Sequence, residues 1–269
     1  MNTGFIGIGS MGGMLVRALL RSGALAPQEI WAANRSSAKL QALAADFPGI
    51  HIASPKQVAA NCGLILLCVS ATDSAGILRQ MDEHLRPQQL LLTTAAAIPL
   101  SLLENRAPCR VAKLIPSITQ EVGAGIALLI YGSRFASEDR SLLENLLGHI
   151  SKPVIISESQ ARPSIGLTSG GPALLAYLLQ SMADEAVRNN GELSPDLARE
   201  LVIETASATM KLLRETYMTT QQIIRRVSVP GGMTALSIEI LSQHVPQAWQ
   251  TVFRKTQERE TETRKSLTL

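Results

Sequence analysis

Aromatic residues, cysteines and clustered basic residues are all scarce in this sequence of 269 residues. Only 3% of the residues are aromatic, which removes the stacking platforms that binders of single-stranded nucleic acid use. The net charge of +3 is small and no basic patch stands out, so we expect no nucleic-acid partner. The four histidines lack metal-ligand spacing, and no metal site is predicted.

Cysteine usage and the absence of long apolar runs indicate the cellular compartment in which the protein is expected. Cys62, Cys68 and Cys109 lack metal-ligand spacing and are interpreted as reduced thiols. No secretory signal pattern precedes the first predicted strand at Thr3. The longest apolar run, around Leu90 to Leu103, is too short and too interrupted to span a bilayer. We therefore expect a cytoplasmic protein without a membrane contact.

An alternation of short aliphatic runs with longer helical patterns extends from Thr3 to about Glu158. This alternation is typical of parallel βαβ units, and it predicts an α/β fold with a doubly wound parallel sheet over residues 1–160. Seven strands are predicted, at Thr3–Gly7, Glu29–Ala33, Leu64–Ser70, Leu90–Thr94, Arg110–Ile115, Ile126–Tyr131 and Pro153–Ile156.

After Arg162 the apolar spacing becomes helical, which predicts an all-helical second domain over residues 161–269. One helix places Leu175, Leu178, Leu179 and Met182 on one face, and Ser194-Pro195 begins the next helix as cap and first-turn proline. Further helices are expected at Thr219–Val227, Thr234–Gln243 and Pro246–Glu260, followed by a frayed polar end over Glu258–Leu269.

The glycine-rich segment Gly7-Ile8-Gly9-Ser10-Met11-Gly12 follows the first strand directly and begins the first helix. This context is the one that the dinucleotide fingerprint requires: a tight turn at Gly7, close approach of a pyrophosphate at Gly9 and helix–strand packing at Gly12. Ser10 and Met11 supply amides of the helix N-terminus, which favours anions. The segment therefore predicts a Rossmann-type cofactor site, the alternative being an ordinary glycine-rich turn.

The end of the second strand indicates which dinucleotide is bound. An NAD-selective site places an acidic residue there, whereas this sequence has Asn34-Arg35-Ser36 with Lys39 nearby. Arg35 can pair with a 2′-phosphate, and Asn34 and Ser36 add donors. This pattern favours NADP(H) over NAD(H), although a solvated loop would have the same composition.

Three later segments are candidates for the substrate site. Ser117 follows Pro116 at the end of the fifth predicted strand, where a strand-ending proline would explain the pattern equally well. Ser169, Gly170 and Gly171 lie at a helix entry whose amides suit a carboxylate, or they are a capped start with packing glycines. Thr234 follows a Pro-Gly-Gly turn in a predicted cap position, with its hydroxyl available as a donor.

Taken in order, these segments resemble the pyrroline-5-carboxylate reductase family over nearly the whole chain. The segments that support the resemblance are Phe5–Gly12, Ala33–Ser36, Ala95–Leu100, Ser169–Ala173 and Pro230–Thr234. The resemblance implies a Rossmann-type domain, a helical domain that forms a homodimer, and hydride transfer from NADPH to a cyclic imine. It further implies that Ser169, Gly170 and Gly171 hold the substrate carboxylate and that Thr234 hydrogen-bonds the ring nitrogen as the catalytic donor.

Departures from the family pattern fall in the predicted substrate pocket. Ser117 and Ile118 stand where the family usually has Asn and Thr, and Ser70, expected at the cofactor, stands with Ala71 in place of Lys-Pro. The helix entry also differs, since the family has Ser-Gly-Ser-Gly-Pro. These changes resemble a diverged branch, such as the reductase-like proteins encoded near late competence genes.

Two further hypotheses are consistent with the same sequence. One is an NADP(H)-binding regulatory protein of this fold with weak or no turnover. The other is a β-hydroxyacid dehydrogenase, which needs a catalytic lysine on the first long helix of the second domain. Residues 161–210 contain no lysine, which disfavours the dehydrogenase.

Overall fold

A computed structural model describes residues 1–265. Eight strands form one sheet: β1 (Thr3–Ile6), β2 (Ile30–Ala33), β3 (His51–Ile52), β4 (Leu64–Leu67), β5 (Leu90–Thr93), β6 (Arg110–Ile115), β7 (Ile126–Tyr131) and β8 (Lys152–Ile155). Their order is β3-β2-β1-β4-β5-β6-β7-β8. Neighbours are parallel except that β7 runs antiparallel to β6. From β1, the next two strands are added toward one edge of the sheet. The chain then crosses back, and β4 to β8 are added in sequence on the other side of β1, which confirms the predicted doubly wound sheet.

Eleven α-helices lie within the described residues. Six accompany the sheet: α1 (Ser10–Arg21), α2 (Ser37–Asp46), α3 (Pro55–Asn61), α4 (Ala71–Met81), α5 (Leu100–Arg106) and α6 (Ser137–Gly148). The others follow β8: α7 (Ala161–Leu167), α8 (Gly171–Asn189), α9 (Pro195–Glu215), α10 (Thr220–Val227) and α11 (Met233–Lys265). The predicted all-helical region after the sheet is confirmed.

Both faces of the sheet are buried, because successive strand residues point to opposite sides. On β1, Phe5 belongs to one buried cluster, which includes side chains of α1, α2 and α6. Its neighbour Ile6 belongs to the other, with side chains of α3, α4 and α5. Strands covered on both faces have continuous apolar sequences, which is why Leu64–Leu67 was recognisable from sequence.

The strand β3 was missed by the sequence analysis, for a physical reason. It has two residues, His51 and Ile52, both exposed, so no alternation of apolar and polar residues marks it. The strand lies at the edge of the sheet, where Trp31 is paired with His51 and their rings stack with centroids 4.7 Å apart. Pairing with β2, and not its own composition, makes this segment a strand.

The chain divides into two compact units. The first contains Met1–Pro172 and the described residues from Gln257 onward, and the second contains Ala173–Thr256. These units differ from the predicted domains of residues 1–160 and 161–269, because α7 and the end of α11 group with the sheet. The predicted boundary between residues 160 and 161 marks the change to helical spacing in the sequence, and it stays a prediction.

The last helix corrects two expectations. Separate helices were predicted on either side of Pro246, but α11 continues through that residue. Pro246 is exposed, so the carbonyl that loses its helical donor can be hydrated, which makes an interior proline tolerable. The predicted fraying from Glu258 was also wrong as far as Lys265, and residues 266–269 lie outside the described residues.

The second unit buries little apolar surface of its own. Between Ala173 and Thr256, all of which the structure describes, the buried apolar residues are Ala183 and Ala198. The predicted apolar face of α8 is largely open, with Leu175 61% and Met182 66% exposed. Large apolar surfaces left open within one chain are typical of surfaces that associate with another.

Candidate functional site

A cavity of about 750 Å³ lies in the first unit at the carboxyl ends of β1, β2 and β4. This is the switch point of the sheet, where doubly wound folds bind their ligands. The lining residues are Ile6, Gly7, Gly9, Ala33, Asn34, Arg35, Ser36, Lys39, Ala53, Ser54, Pro55, Cys68, Val69, Asp73, Gly76, Ile77 and Gln80.

The three fingerprint glycines are glycine for different reasons. Gly7 has φ +97°, and a Cβ there would lie 2.4 Å from the carbonyl oxygen of Cys68. At Gly12 a Cβ would lie 1.9 Å from the carbonyl oxygen of Gly7. At Gly9, by contrast, a Cβ would meet no atom within 4 Å. The protein's own packing thus requires Gly7 and Gly12, while Gly9 leaves open space beside the cavity, as a bound pyrophosphate would need.

Amides at the start of α1 are oriented for an anion. The first helical hydrogen bond runs from the Gly13 N–H to the Gly9 carbonyl over 2.9 Å, so the amides of Ser10, Met11 and Gly12 precede it. Such amides and the helix dipole attract negative charge. The side chains of Ser10 and Met11 do not line the large cavity. Ser10 borders a second cavity of about 400 Å³, and Met11 packs against the core.

Asn34 connects the glycine-rich loop to the loop after β2. Its Oδ1 accepts the Ile8 N–H over 2.9 Å, and its Nδ2 donates to the Ser36 carbonyl over 3.1 Å. Both polar ends of the amide are therefore in use within the protein. The structure shows Asn34 shaping the site, and its predicted direct contact with a phosphate stays a prediction.

The end of the cavity beyond β2 is rich in donors. Arg35, Ser36 and Lys39 line it, and Ser36 caps α2 without a side-chain hydrogen bond. No acidic residue follows β2, so the sequence feature that favours a 2′-phosphate over a free 2′-hydroxyl occurs in a suitable place. The three residues that sequence reasoning grouped here do lie together.

Sequence reasoning missed the far wall of the cavity. Ser54 and Pro55 enter it at the start of α3, where the Ser54 hydroxyl accepts the Gln57 N–H over 3.3 Å. Asp73, Ile77 and Gln80 enter it from one face of α4. The Ser-Pro-x-Gln capping pattern and the spacing of the α4 residues were available signals. What the sequence alone could not show is that both helices begin at the same edge of the sheet.

Ser70 lies outside the cavity lining and caps α4. Its hydroxyl accepts the Asp73 N–H over 3.1 Å and lies 2.8 Å from the Asp73 carboxylate.

Cys68 does line the cavity, and burial raises the pKa of its thiol to about 12. The thiol is therefore protonated near neutral pH and is a poor nucleophile.

Ser117 links the end of β6 to the glycine-rich helix entry. Its side chain is buried, its Oγ donates to the Thr168 carbonyl over 3.3 Å, and it accepts the Thr119 hydroxyl over 3.0 Å. The predicted neighbourhood of Ser117 and the helix entry is thus present within the first unit. The hydroxyl, however, is already engaged, so a direct contact with substrate stays a prediction.

The glycines of the helix entry are not required by steric conflict within the chain. The Gly170 N–H donates to the Ile165 carbonyl over 2.9 Å and closes the end of α7. A Cβ at Gly171 would have its nearest neighbour, the Gly166 carbonyl oxygen, at an ordinary 3.8 Å. Neither residue has a positive φ. Packing within the chain therefore does not require glycine at Gly171, and its predicted contact with the substrate carboxylate stays a prediction.

Thr234 lies in the second unit, and the helix cap predicted at this residue is corrected by two residues. The carbonyl of Gly232 accepts the Leu236 N–H over 3.2 Å, so Gly232 caps α11 and Thr234 is already the second helical residue. Its side chain is exposed. Its predicted roles in catalysis and substrate binding stay predictions.

Residues 1–265 contain neither a candidate metal site nor a helix that could span a membrane. No group of three or more His, Cys, Asp or Glu residues in this range is placed to hold a metal ion. None of the helices in the same range is long and apolar enough to cross a membrane.

Comparison with known proteins agrees with this architecture. Residues 158–263 match the family model described as pyrroline-5-carboxylate reductase dimerisation, which confirms the predicted dimerisation domain. Residues 2–97 match the model described as NADP oxidoreductase, coenzyme F420-dependent.

Individual relatives extend over almost the whole chain. Pyrroline-5-carboxylate reductase 3 of Bacillus subtilis is 32% identical over 94% of this chain and 93% of its own length. ComE operon protein 4 of the same organism is 28% identical over 95% and 94%. A Plasmodium falciparum pyrroline carboxylate reductase with NADP bound has the same fold, with TM-score 0.83 at 19% identity over 99% of this chain and 97% of that one. The predicted resemblance is confirmed, and the chain belongs to the pyrroline-5-carboxylate reductase family.

Proposed function

We propose that this chain is an NADPH-dependent reductase that transfers a hydride to a small carboxylated cyclic imine. The best candidate substrate is pyrroline-5-carboxylate, whose reduction gives proline. The observation that carries the proposal concerns Gly9, which lines the open cavity at the switch point of the sheet. No contact within the protein requires glycine at this position. Family membership and the names of the relatives support the choice of reaction.

NADP(H) is supported as the cofactor by the donors that follow β2. Arg35 and Lys39 line the cavity as cations, and Ser36 offers an uncommitted hydroxyl. A 2′-phosphate would gain charge-assisted hydrogen bonds from these groups. The NADP bound to the Plasmodium relative and the oxidoreductase model over residues 2–97 agree with this assignment.

The substrate roles follow from what a cyclic imine requires. The bound dinucleotide supplies the hydride, and the imine is already electrophilic, so the protein mainly orients it and stabilises the developing amine. We assign the substrate carboxylate to the helix entry at Ser169, Gly170 and Gly171. We assign the hydrogen bond to the ring nitrogen to the hydroxyl of Thr234.

The first test is NADPH oxidation by the purified protein with pyrroline-5-carboxylate. We expect a measurable rate that falls by about 10- to 100-fold in Thr234→Val, which keeps the side-chain shape and removes the donor. Thr234→Ser keeps a hydroxyl and should retain most of the rate. Equal rates in all three proteins would refute the role of Thr234.

Coenzyme choice can be tested separately. In Arg35→Ala combined with Lys39→Ala, the affinity for NADPH should fall by at least about 10-fold while that for NADH changes little, since only the former has the 2′-phosphate. Arg86→Ala, which removes an exposed cation outside the cavity, is the matched control. A parallel loss for both coenzymes would contradict the assignment of Arg35.

One observation favours a second candidate, an NADP(H)-binding regulatory protein without efficient turnover. The hydroxyl of Ser117 and the amide of Gly170 already donate to carbonyls of the chain, and the family pattern differs at both positions. Similarity to ComE operon protein 4 extends over the same range as similarity to the reductase. Tight NADPH binding without oxidation by any cyclic imine would favour this candidate.

A further inference from the structure

A fully buried lysine lies in the sheet next to the proposed site. Lys113 is on β6 and has 0% of its surface exposed. Its ammonium group donates to the Ala96 carbonyl over 3.1 Å and to the Glu158 carboxylate. Burial lowers the pKa of Lys113, while Glu158 acts in the opposite direction.

A lysine buried in a strand needs a reason other than stability. Removing its ammonium group from water is costly, its partner Glu158 is still 33% exposed, and apolar residues of similar volume often stabilise a core as well or better. The other residues of β6 that point into the core, such as Val111, Leu114 and Ile115, are apolar. The ammonium group at Lys113 therefore has a specific task, which is indicated by its partners.

The two partners lie on different segments: Ala96 follows β5 at the carboxyl edge of the parallel strands, whereas Glu158 follows β8, which runs in the opposite direction. Ala96 is in the loop of residues 94–99, which follows β5 and leads into α5. Glu158 begins the short turn before α7, and its carboxylate also accepts the Leu100 N–H over 3.1 Å. The pair of Lys113 and Glu158 therefore links the loop after β5, the start of α5 and the turn before α7.

A second group of charged side chains lies at the start of α7 and the end of α11. Arg162 lies 3.6 Å from the carboxylate of Glu260, which Arg264 contacts at 2.8 Å. Glu260 is 9% exposed, and its charge and that of Arg264 both act on Lys113. Lys113 thus lies within the electrostatic influence of a second group of charges in the first unit.

We propose that Lys113 is a positioning residue for the nicotinamide half of the dinucleotide. The large cavity is bordered by β1, β2 and β4 and fits the adenosine half. The loops after β5 and β6 continue the same edge of the sheet on the other side of the switch point. By fixing the Ala96 carbonyl, Lys113 sets the backbone of residues 94–99 against which the nicotinamide ring rests. This inference rests on the proposed function and deepens it.

The test separates the two halves of the cofactor. In Lys113→Met, the affinity for 2′,5′-ADP, which represents the adenosine half, should stay within about twofold of wild type. The affinity for NADPH should fall about 10-fold, and kcat for imine reduction by up to about 100-fold, because misplacement by an ångström has effects of that size. The fluorescence of bound NADPH should change as well.

A second variant addresses folding. Lys113→Met leaves the partly exposed Glu158 without its cation, so the double variant Lys113→Met with Glu158→Gln is made to restore a neutral pair. Positioning predicts that stability recovers while the NADPH and kcat defects remain. Arg110→Met is the matched control, since Arg110 is on the same strand and pairs with Asp139 at 2.6 Å. It should lose stability without a selective NADPH defect.

Each outcome decides the inference. Wild-type kcat and NADPH affinity in the double variant, or equal losses for 2′,5′-ADP and NADPH, would overturn it. If wild type binds NADPH but reduces no imine, the proposed function fails, and the difference between NADPH and 2′,5′-ADP affinities in the variants still tests Lys113.

Discussion

Gly9 and Gly12 show how two residues of one motif are subject to different constraints. A Cβ at Gly12 would collide with the backbone of Gly7, whereas a Cβ at Gly9 meets open space. Packing within the fold requires glycine at Gly12, whereas the space for a bound ligand requires it at Gly9. The distinction cannot be read from the sequence, in which both are simply members of the fingerprint.

Alanine substitution should separate these two constraints. We expect Gly9→Ala to keep the melting temperature of wild type and to lose at least about 10-fold in NADPH affinity, because the methyl group occupies the space for the pyrophosphate. Gly12→Ala should lose roughly 1–3 kcal/mol in the free energy of unfolding, the usual effect of overpacking. Thermal unfolding and a binding titration measure both quantities. Unchanged NADPH affinity in a folded Gly9→Ala would disprove the assignment.

A similar argument applies to Gly171 at the helix entry. Packing leaves room for a Cβ there, so Gly171→Ala should be neutral or slightly stabilising, by up to about 1 kcal/mol. The KM for the imine should nevertheless rise about 10-fold, as the methyl group blocks the substrate carboxylate. Gly148→Ala on α6, where a Cβ would meet no atom within 4 Å, is the control and should leave KM unchanged. A rise in KM for both variants would indicate a general effect.

At the scale of elements, the sequence predicted what its own periodicity encodes. Strands buried on both faces are continuous apolar runs, and α9 begins at Ser194, whose hydroxyl accepts the Leu197 N–H over 3.3 Å as predicted. The edge strand β3 and the cavity wall formed by α3 and α4 were missed, because pairing and shared location at a sheet edge are not local properties. Lys113 was missed for the same reason, since its partners are 17 and 45 residues away.

The unbroken helix α11 leads to a prediction about Pro246. An interior proline removes one helical hydrogen bond and typically costs about 3 kcal/mol, partly relieved here by exposure of the site. Pro246→Ala should therefore raise the free energy of unfolding by about 1–3 kcal/mol with little change in helix content by circular dichroism. Gln247→Ala, at an exposed position of the same turn, should change it by less than about 0.5 kcal/mol. Loss of stability in Pro246→Ala would argue for two separate helices.

At the scale of the whole molecule, the second unit exposes the apolar side chains that a folded domain usually covers. Leu175 and Met182 lie seven residues apart on one face of α8 and are both more than half exposed. Together with the match to the dimerisation model, this face is expected to be covered by a second copy of the chain. The partners we expect are therefore a small-molecule substrate and the protein itself.

Association can be measured directly. Light scattering should give at least twice the chain mass of 28.9 kDa. Leu175→Glu combined with Met182→Glu should shift the protein towards the monomer and make its melting temperature fall, because charges on this face oppose burial. Leu142→Glu, at an apolar residue of α6 that is 41% exposed in the first unit, should leave the mass unchanged. A monomeric wild type would exclude the homodimer.

The contact of Glu260 with Arg162 and Arg264 also has a consequence for how the two halves of the chain evolve. A gene that exchanged its helical half with that of a relative would replace Glu260 and Arg264 while keeping Lys113, which their charges influence. In such a chimeric protein, Lys113 would come from one parent and the charged residues at the end of the last helix from the other. We therefore expect these two halves to have diverged together along a lineage, with substitutions at positions 113, 158, 162, 260 and 264 correlated across descendants.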